Sequence, residues 1–322
     1  MGKERMKTQR SGRAEGNGVT ISYRCFGTGR DVVLIHGFAA NSAFWNIRIL
    51  LTLARHCRVT AYDLRGHGYS SMPATGYTPT HMAADLDMLL DHLGIERAHL
   101  VGHSFGGTVA LQYGLLHPER VRGITMADSR VRSLQPTQRP RDWANWPEAR
   151  ENLRQMGIEI DADEKEAGLF LLEQLARPQW LEQREKLKGT QLFVPFCRKG
   201  GGRRSAERWT RLLNTTSARQ DLVRAEGLTP ETIATLDLPV LGVYGEKTRL
   251  LPSLRGLQEL IPDFRSVLVP GRGHFFPLTD PDLFIRVLLD FLAETGWCGD
   301  DEPVVARSVS GADRETGPVL QP

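Results

Sequence analysis

The sequence predicts an α/β fold, a mostly parallel sheet flanked by helices and interrupted late in the chain by a helical insertion. Three observations carry this. Short apolar runs alternate with segments of helical spacing along most of the chain. Asp31–Ile35 and Val240–Tyr244 are almost continuously apolar, as strands buried on both faces are. Between about 131 and 233 the strand signals stop while helical patterning continues.

In chain order, residues 1–17 are rich in Gly and charge without periodicity and are expected to form a disordered tail, as are residues 298–322. Val19–Cys25 alternates like a half-exposed strand, Asp31–Ile35 is a buried one, and a helix is expected over 42–55. Arg58–Tyr62 is the next strand. Met82, Leu86, Leu89, Leu90 and Leu93 then mark one face of a helix that ends at the C-cap Gly94. A strand over Arg97–Val101 leads to a helix over Thr108–Leu115, and a further strand over Val121–Met126 precedes the insertion. After it come a strand at Val240–Tyr244, a helix near 252–261, a strand at Ser266–Val269 and a last helix near 281–294. The domain plan is thus a core in two parts, 18–130 and 234–297, with a helical cap at 131–233. The cap holds Trp143, Trp146, Trp180 and Trp209 with Phe170, Phe193 and Phe196, which are expected to pack the cap and to favour an apolar pocket.

Composition excludes several classes. At 322 residues the chain can bury a substantial core, and 40% hydrophobic with 25% charged residues is ordinary for a globular protein. A net charge of +3 with scattered basic residues does not argue for nucleic acid. The one basic cluster, Arg198–Arg204, is expected to be a solvated loop, with an anion-binding lid as the alternative. Cys25, Cys57, Cys197 and Cys298 have neither short pairing nor metal-ligand spacing and suit reduced thiols, so no metal is expected. The N-terminus lacks the apolar stretch of a secretory signal, Met6 occupies the position where a myristoylation motif needs Ser or Thr, and no run is long enough to span a bilayer. A cytoplasmic protein acting on a small-molecule substrate is the expectation.

The chemistry centres on Leu100-Val101-Gly102-His103-Ser104-Phe105-Gly106-Gly107. Here Ser104 sits where a strand turns sharply into a helix, flanked by residues small enough for the turn, so its hydroxyl projects off the strand end. A serine needs a base, and among the nine histidines His274 follows the last predicted strand in a glycine-flanked loop. His103 points elsewhere from so tight a turn, while His36 and His67 are expected to bond within the structure. An oxyanion would need donors: the Phe105 N–H at the start of the elbow helix, and the Phe38 N–H in His36-Gly37-Phe38-Ala39-Ala40. All these residues follow strands, and in such sheets ligands bind beyond the strands' carboxyl ends.

On His36-Gly37-Phe38, Asp63-Leu64-Arg65-Gly66-His67-Gly68-Tyr69-Ser70, the serine elbow and Gly273-His274, which fall in the family's order over about 18–296, the chain resembles the α/β-hydrolase fold superfamily in its capped, serine-nucleophile branch. The resemblance implies a serine hydrolase that opens a carboxylic ester, thioester or lactone of a small, largely apolar substrate through an acyl-enzyme, with no cofactor. Ser104 excludes the aspartate-nucleophile branches. The same machinery serves C–C bond hydrolases of the meta-cleavage-product type and acyltransferases, and a ligand-binding protein without turnover is the alternative of another class. The acid departs from the pattern: most relatives carry an aspartate where this chain has Thr248. Asp128, after the preceding strand, is the first choice for the acid because some branches place theirs there. Glu246, in the usual loop but two residues early, is the alternative.

Overall fold

The computed structural model describes residues 10–143, 145–179, 196 and 202–297. Its centre is an eight-stranded sheet in the order β1-β2-β4-β3-β5-β6-β7-β8. The strands are β1 (Arg10–Gly16), β2 (Val19–Phe26), β3 (Asp31–Ile35), β4 (Arg58–Tyr62), β5 (Ala98–His103), β6 (Val121–Ala127), β7 (Val240–Gly245) and β8 (Phe264–Val269). β1 and β2 run antiparallel and all pairings from β4 to β8 are parallel. The chain leaves β3 for β4 on one side and returns to β5 on the other. Strand order therefore reverses at β3 and β5, which opens a crevice beyond their carboxyl ends.

Strand residues alternate between two cores. Val33 and Ile35 face α2 (Pro79–His92) and α3 (Phe105–Leu116), whereas Val32 and Leu34 face α1 (Ile47–Leu53) and the C-terminal helix Pro281–Glu294. Ten of the twelve residues of α3 are buried, because the helix runs beneath the sheet centre with α2 over it. Between β6 and β7 come α4 (Trp146–Gln155), α5 (Ala167–Leu175) and α6 (Gly202–Thr215), with two single-turn helices after them. α6 docks on the loop after β4. Arg208 donates to the carbonyls of Gly66 (3.0 Å) and Ser70, and Leu212 lies against Gly66.

Two expectations need correcting. Residues 10–16 are not part of a disordered tail; they form an edge strand paired in full with β2. The missed signal is Asn17-Gly18, whose φ values of 52° and 69° make the two-residue hairpin turn that this dipeptide favours. Only Ala14 of β1 is buried, so the strand carries no apolar pattern to read. The helix expected over 42–55 is instead a short 3-10 turn, Ser42–Phe44, followed by Ile47–Leu53, because the Asn46 side chain accepts the Ile49 N–H and caps a new start. Residues 1–9, Trp180, Phe193, Cys197 and 298–322, and Arg198–Gly201 of the basic cluster, lie outside the described residues. Gly202, Arg203 and Arg204 of that cluster open α6, and Cys25 and Cys57 are not in disulfides. Among the described residues no helix is long and apolar enough to cross a membrane.

Two buried polar features set the stability. Arg65 and Asp85 form a two-pronged ion pair (Nε to Oδ2 2.6 Å) with both side chains almost fully buried. Removing one partner strands the other's charge, so Asp85→Ala should lower the unfolding free energy by about 3–5 kcal/mol, measurable by urea titration. Burial also holds His67 and His99 near a pKa of about 3, far below their ordinary 6.5. The unfolded chain takes up these protons first, so stability is full above about pH 6.5 and falls as pH drops towards 3, by roughly 1.4 kcal/mol per pH unit for each histidine. Urea midpoints should be level from pH 7.5 to 6.5 and fall steadily from pH 6.5 to 5, less steeply in His99→Gln; a flat profile below pH 6.5 would contradict this account.

Candidate active site

Ser104 is the hinge between β5 and α3, with φ 54° and ψ −121°. This strained conformation is over-determined: the Ser104 N–H extends the ladder onto the Ala127 carbonyl (3.0 Å), and the Gly107 N–H closes back on Ser104 O (3.1 Å). Close approach explains the flanking glycines, since a Cβ on Gly106 would stand 2.2 Å from the Ile35 carbonyl oxygen. Two further non-glycine residues with left-handed φ sit at the same sheet edge, Ala39 (57°) after β3 and Asp128 (49°) after β6. Strain is thus gathered at the ends of the three adjacent strands β3, β5 and β6.

The loop after β3 presses on the serine. A Cβ on Gly37 would meet Ser104 Cβ at 2.8 Å, and the Phe38 ring stacks on Phe105 at 4.3 Å between centroids. His36 fixes this loop through both ring nitrogens. Its Nε2 accepts the Leu64 N–H (3.1 Å), which leaves Nδ1–H to donate to the Gly37 carbonyl (2.8 Å). Burial lowers its pKa, consistent with a neutral ring whose tautomer is set. His67, also buried, bonds through Nδ1 to the Arg65 carbonyl (3.0 Å).

His274 lies in the loop after β8, and its Nδ1 meets Asp128 Oδ1 at 3.0 Å. Asp128 is fully buried, and its backbone N–H donates to Val243 O at 2.8 Å, which fixes it at the end of β6. Its Oδ2 accepts the Gly245 N–H (2.8 Å), and Oδ1 also accepts the Thr248 hydroxyl. Thr248, which stands where an acid was looked for, is a donor to the carboxylate one strand away. Glu246 is exposed and turned from the histidine; its Oε2 accepts the Gly271 N–H (2.7 Å) and pins the turn that leads into His274.

Sequence reasoning missed the part played by His103. Its Nε2–H donates to the His274 backbone carbonyl at 2.9 Å, and its ring stacks on Phe44 with centroids 4.2 Å apart. Burial, then the neighbouring His274, holds its pKa well below the ordinary value, so this donor is a neutral ring. The residue before the serine therefore holds the loop that carries His274. Nothing in the motif announces this, because the position needs only a long side chain with one donor.

Ser104, His274, Phe38 and Phe105 line one cavity of about 300 Å³. Its apolar wall comes from leucines of α5 (Leu169, Leu171, Leu172 and Leu175) and from Phe44. Trp143 and Trp209 pack within the core, Trp209 touching Phe38 at 5.9 Å between ring centroids. The other wall is charged. Arg130 and Arg132 share Glu166, and Arg224, Lys247 and Arg249 complete it.

Comparison with known proteins agrees with the fold. The profile of the alpha/beta hydrolase fold family matches residues 32–281. The chain is 31% identical to a pimeloyl-(acyl-carrier protein) methyl ester esterase of Aeromonas hydrophila subsp. hydrophila, over 85% of this chain and all of that one. It is 26% identical to a 2-(acetamidomethylene)succinate hydrolase of Mesorhizobium japonicum, over 85% of this chain and 92% of the relative. Among solved structures, the esterase RhEst1 from Rhodococcus sp. ECU1013 superposes with a TM-score of 0.66 at 25% identity, covering 89% of this chain and 99% of that one.

Proposed function

The chain belongs to the alpha/beta hydrolase fold family, and on that premise we propose that it is a serine hydrolase that opens a carboxylic ester, thioester or lactone through an acyl-enzyme. The observation that carries the reading is the contact of His274 Nδ1 with the buried Asp128 carboxylate, at the cavity that Ser104 lines. Relatives named as esterases and hydrolases support the same chemistry.

In this mechanism Nδ1–H donates to Asp128, so Nε2 carries the lone pair and serves as base. Ser104 Oγ attacks the acyl carbon while its proton passes to His274 Nε2, and the carbonyl π electrons move onto oxygen. The Phe38 and Phe105 N–H groups stabilise that oxyanion, a role worth about 3–4 kcal/mol per donor in such sites. The Phe105 N–H belongs to the first turn of α3, where it has no partner within the helix. Collapse breaks the bond to the leaving alcohol or thiol, which takes the proton from His274. Water, deprotonated by the same nitrogen, then attacks the acyl-enzyme and releases the acid and Ser104. The described residues of 131–233 act as a cap over the strand ends, and the leucines of α5 supply most of the apolar wall. A binding protein without turnover drew its support from Thr248 in place of the acid; the Thr248 hydroxyl bonded to Asp128 favours an acid supplied from β6 instead.

A fluorophosphonate should add its mass to Ser104 in the folded protein and not in Ser104→Ala; an unchanged intact mass would overturn the reading. Asp128→Asn should lower kcat by about 10⁴ with folding intact, and Glu246→Gln should leave kcat within about twofold, as judged by ester turnover. Thr248→Val, which removes a hydrogen bond to a buried carboxylate, should lower kcat about tenfold with KM unchanged, and Thr248→Ser should restore it.

A further inference from the structure

Four of the cations that line the cavity are arginines, and one of them differs from the rest. Arg130 and Arg132 converge on Glu166, and Arg224 lies 3.7 Å from Glu226. Among the described residues, Arg249 has no carboxylate within ion-pairing reach and no side-chain hydrogen bond. Its guanidinium carbon lies 3.3 Å from the centroid of the Trp143 ring, a cation–π contact that anchors the group. Its backbone is held as well: the Arg249 carbonyl accepts from Gln135 Nε2 (2.8 Å), and the preceding residue, Thr248, is bonded to Asp128. Burial lowers its pKa to about 10, so the group remains a cation at neutral pH.

A largely buried cation without a counter-charge costs stability unless something else satisfies it. The contact with Trp143 covers part of the guanidinium and leaves its N–H donors without a partner among the described residues. Five donors in a planar fork match a carboxylate, which takes two parallel hydrogen bonds from such a group. Of the two cavity cations without a carboxylate partner among the described residues, Lys247 is exposed and solvated whereas Arg249 is largely buried. One buried cation balances one negative charge, which suits a carboxylate better than a phosphate dianion. The net positive charge of the surrounding wall draws anions towards it.

We propose that Arg249 binds a carboxylate carried by the substrate away from the scissile bond, so that the enzyme acts on half-esters of dicarboxylic acids in preference to neutral esters. The identity of the bond that breaks rests on the serine-hydrolase reading above; the carboxylate site does not. In the resulting complex the apolar chain of the substrate lies along the leucines of α5 while its two ends meet Arg249 and Ser104.

The test compares charge alone. Full-length Ser104→Ala is titrated calorimetrically with monomethyl and dimethyl esters of succinate, glutarate and adipate. For at least one chain length the monoester should bind about ten to a hundred times more tightly than its dimethyl counterpart, the range expected of a hydrogen-bonded charge pair. Arg249→Met, which keeps a long chain against Trp143, should abolish that preference, and Arg249→Lys should recover part of it, with thermal melts verifying folding. Monoesters that bind no better than diesters at any length, or a preference that survives Arg249→Met, would overturn the proposal. With Ser104 intact, kcat/KM should show the same preference. Failure of the hydrolase reading would look different: monoesters bound through Arg249, yet no fluorophosphonate on Ser104.

Discussion

The buried carboxylate of Asp128 is the constraint around which the site is organised. A carboxylate with no solvent contact holds its charge only if its lone pairs are used. Here three donors reach it, from the Gly245 backbone, the Thr248 hydroxyl and the His274 ring. These donors come from the end of β7 with the turn after it and from the loop after β8, so one side chain at the end of β6 ties together two segments distant from it in sequence. The parallel ladder makes this possible, because it brings the ends of β5, β6 and β7 level: Ser104 bonds to Ala127, and Asp128 to Val243.

Around that anchor the structure spends strain and neutral histidines to hold geometry. Ala39, Ser104 and Asp128 take left-handed backbone that costs of order 1–3 kcal/mol at each site, and Ser104 and Asp128 are fixed by the ladder bonds at the strand ends they follow. His36 and His103 serve as uncharged spacers with defined tautomers, one clamping the loop beside the serine and the other gripping the His274 carbonyl. Burial keeps both uncharged, so neither competes with His274 for the carboxylate.

Much of this was legible in the sequence because it is periodic or compositional. Buried strands such as Asp31–Ile35 must be apolar on both faces, so they announce themselves, and the elbow needs small neighbours that leave a visible pattern. What escaped notice depends on tertiary pairing. β1 is an edge strand with one buried side chain, and its only mark is the turn Asn17-Gly18. The break in the first helix rests on one side chain, that of Asn46. Thr248 was read as an absence because sequence shows which residue a position lacks and not what its hydroxyl reaches. Arg249 was overlooked because an arginine in a loop is ordinary until its surroundings prove to lack a counter-charge.

Carrying the carboxylate on β6 also changes what the segment after β7 is free to become. Where one loop must both orient the base and shape the pocket, a substitution that alters selectivity risks the catalytic charge. In this chain residues 246–250 lend the Asp128 carboxylate one hydroxyl, that of Thr248, beside the neighbouring Gly245 amide, and the buried carboxylate itself lies outside the loop. Such a loop can diversify quickly, since drift in it changes which molecules are accepted before it touches how they are processed. With Asp128 as the proposed acid, a change of side chain in residues 246–250 leaves the buried carboxylate in place.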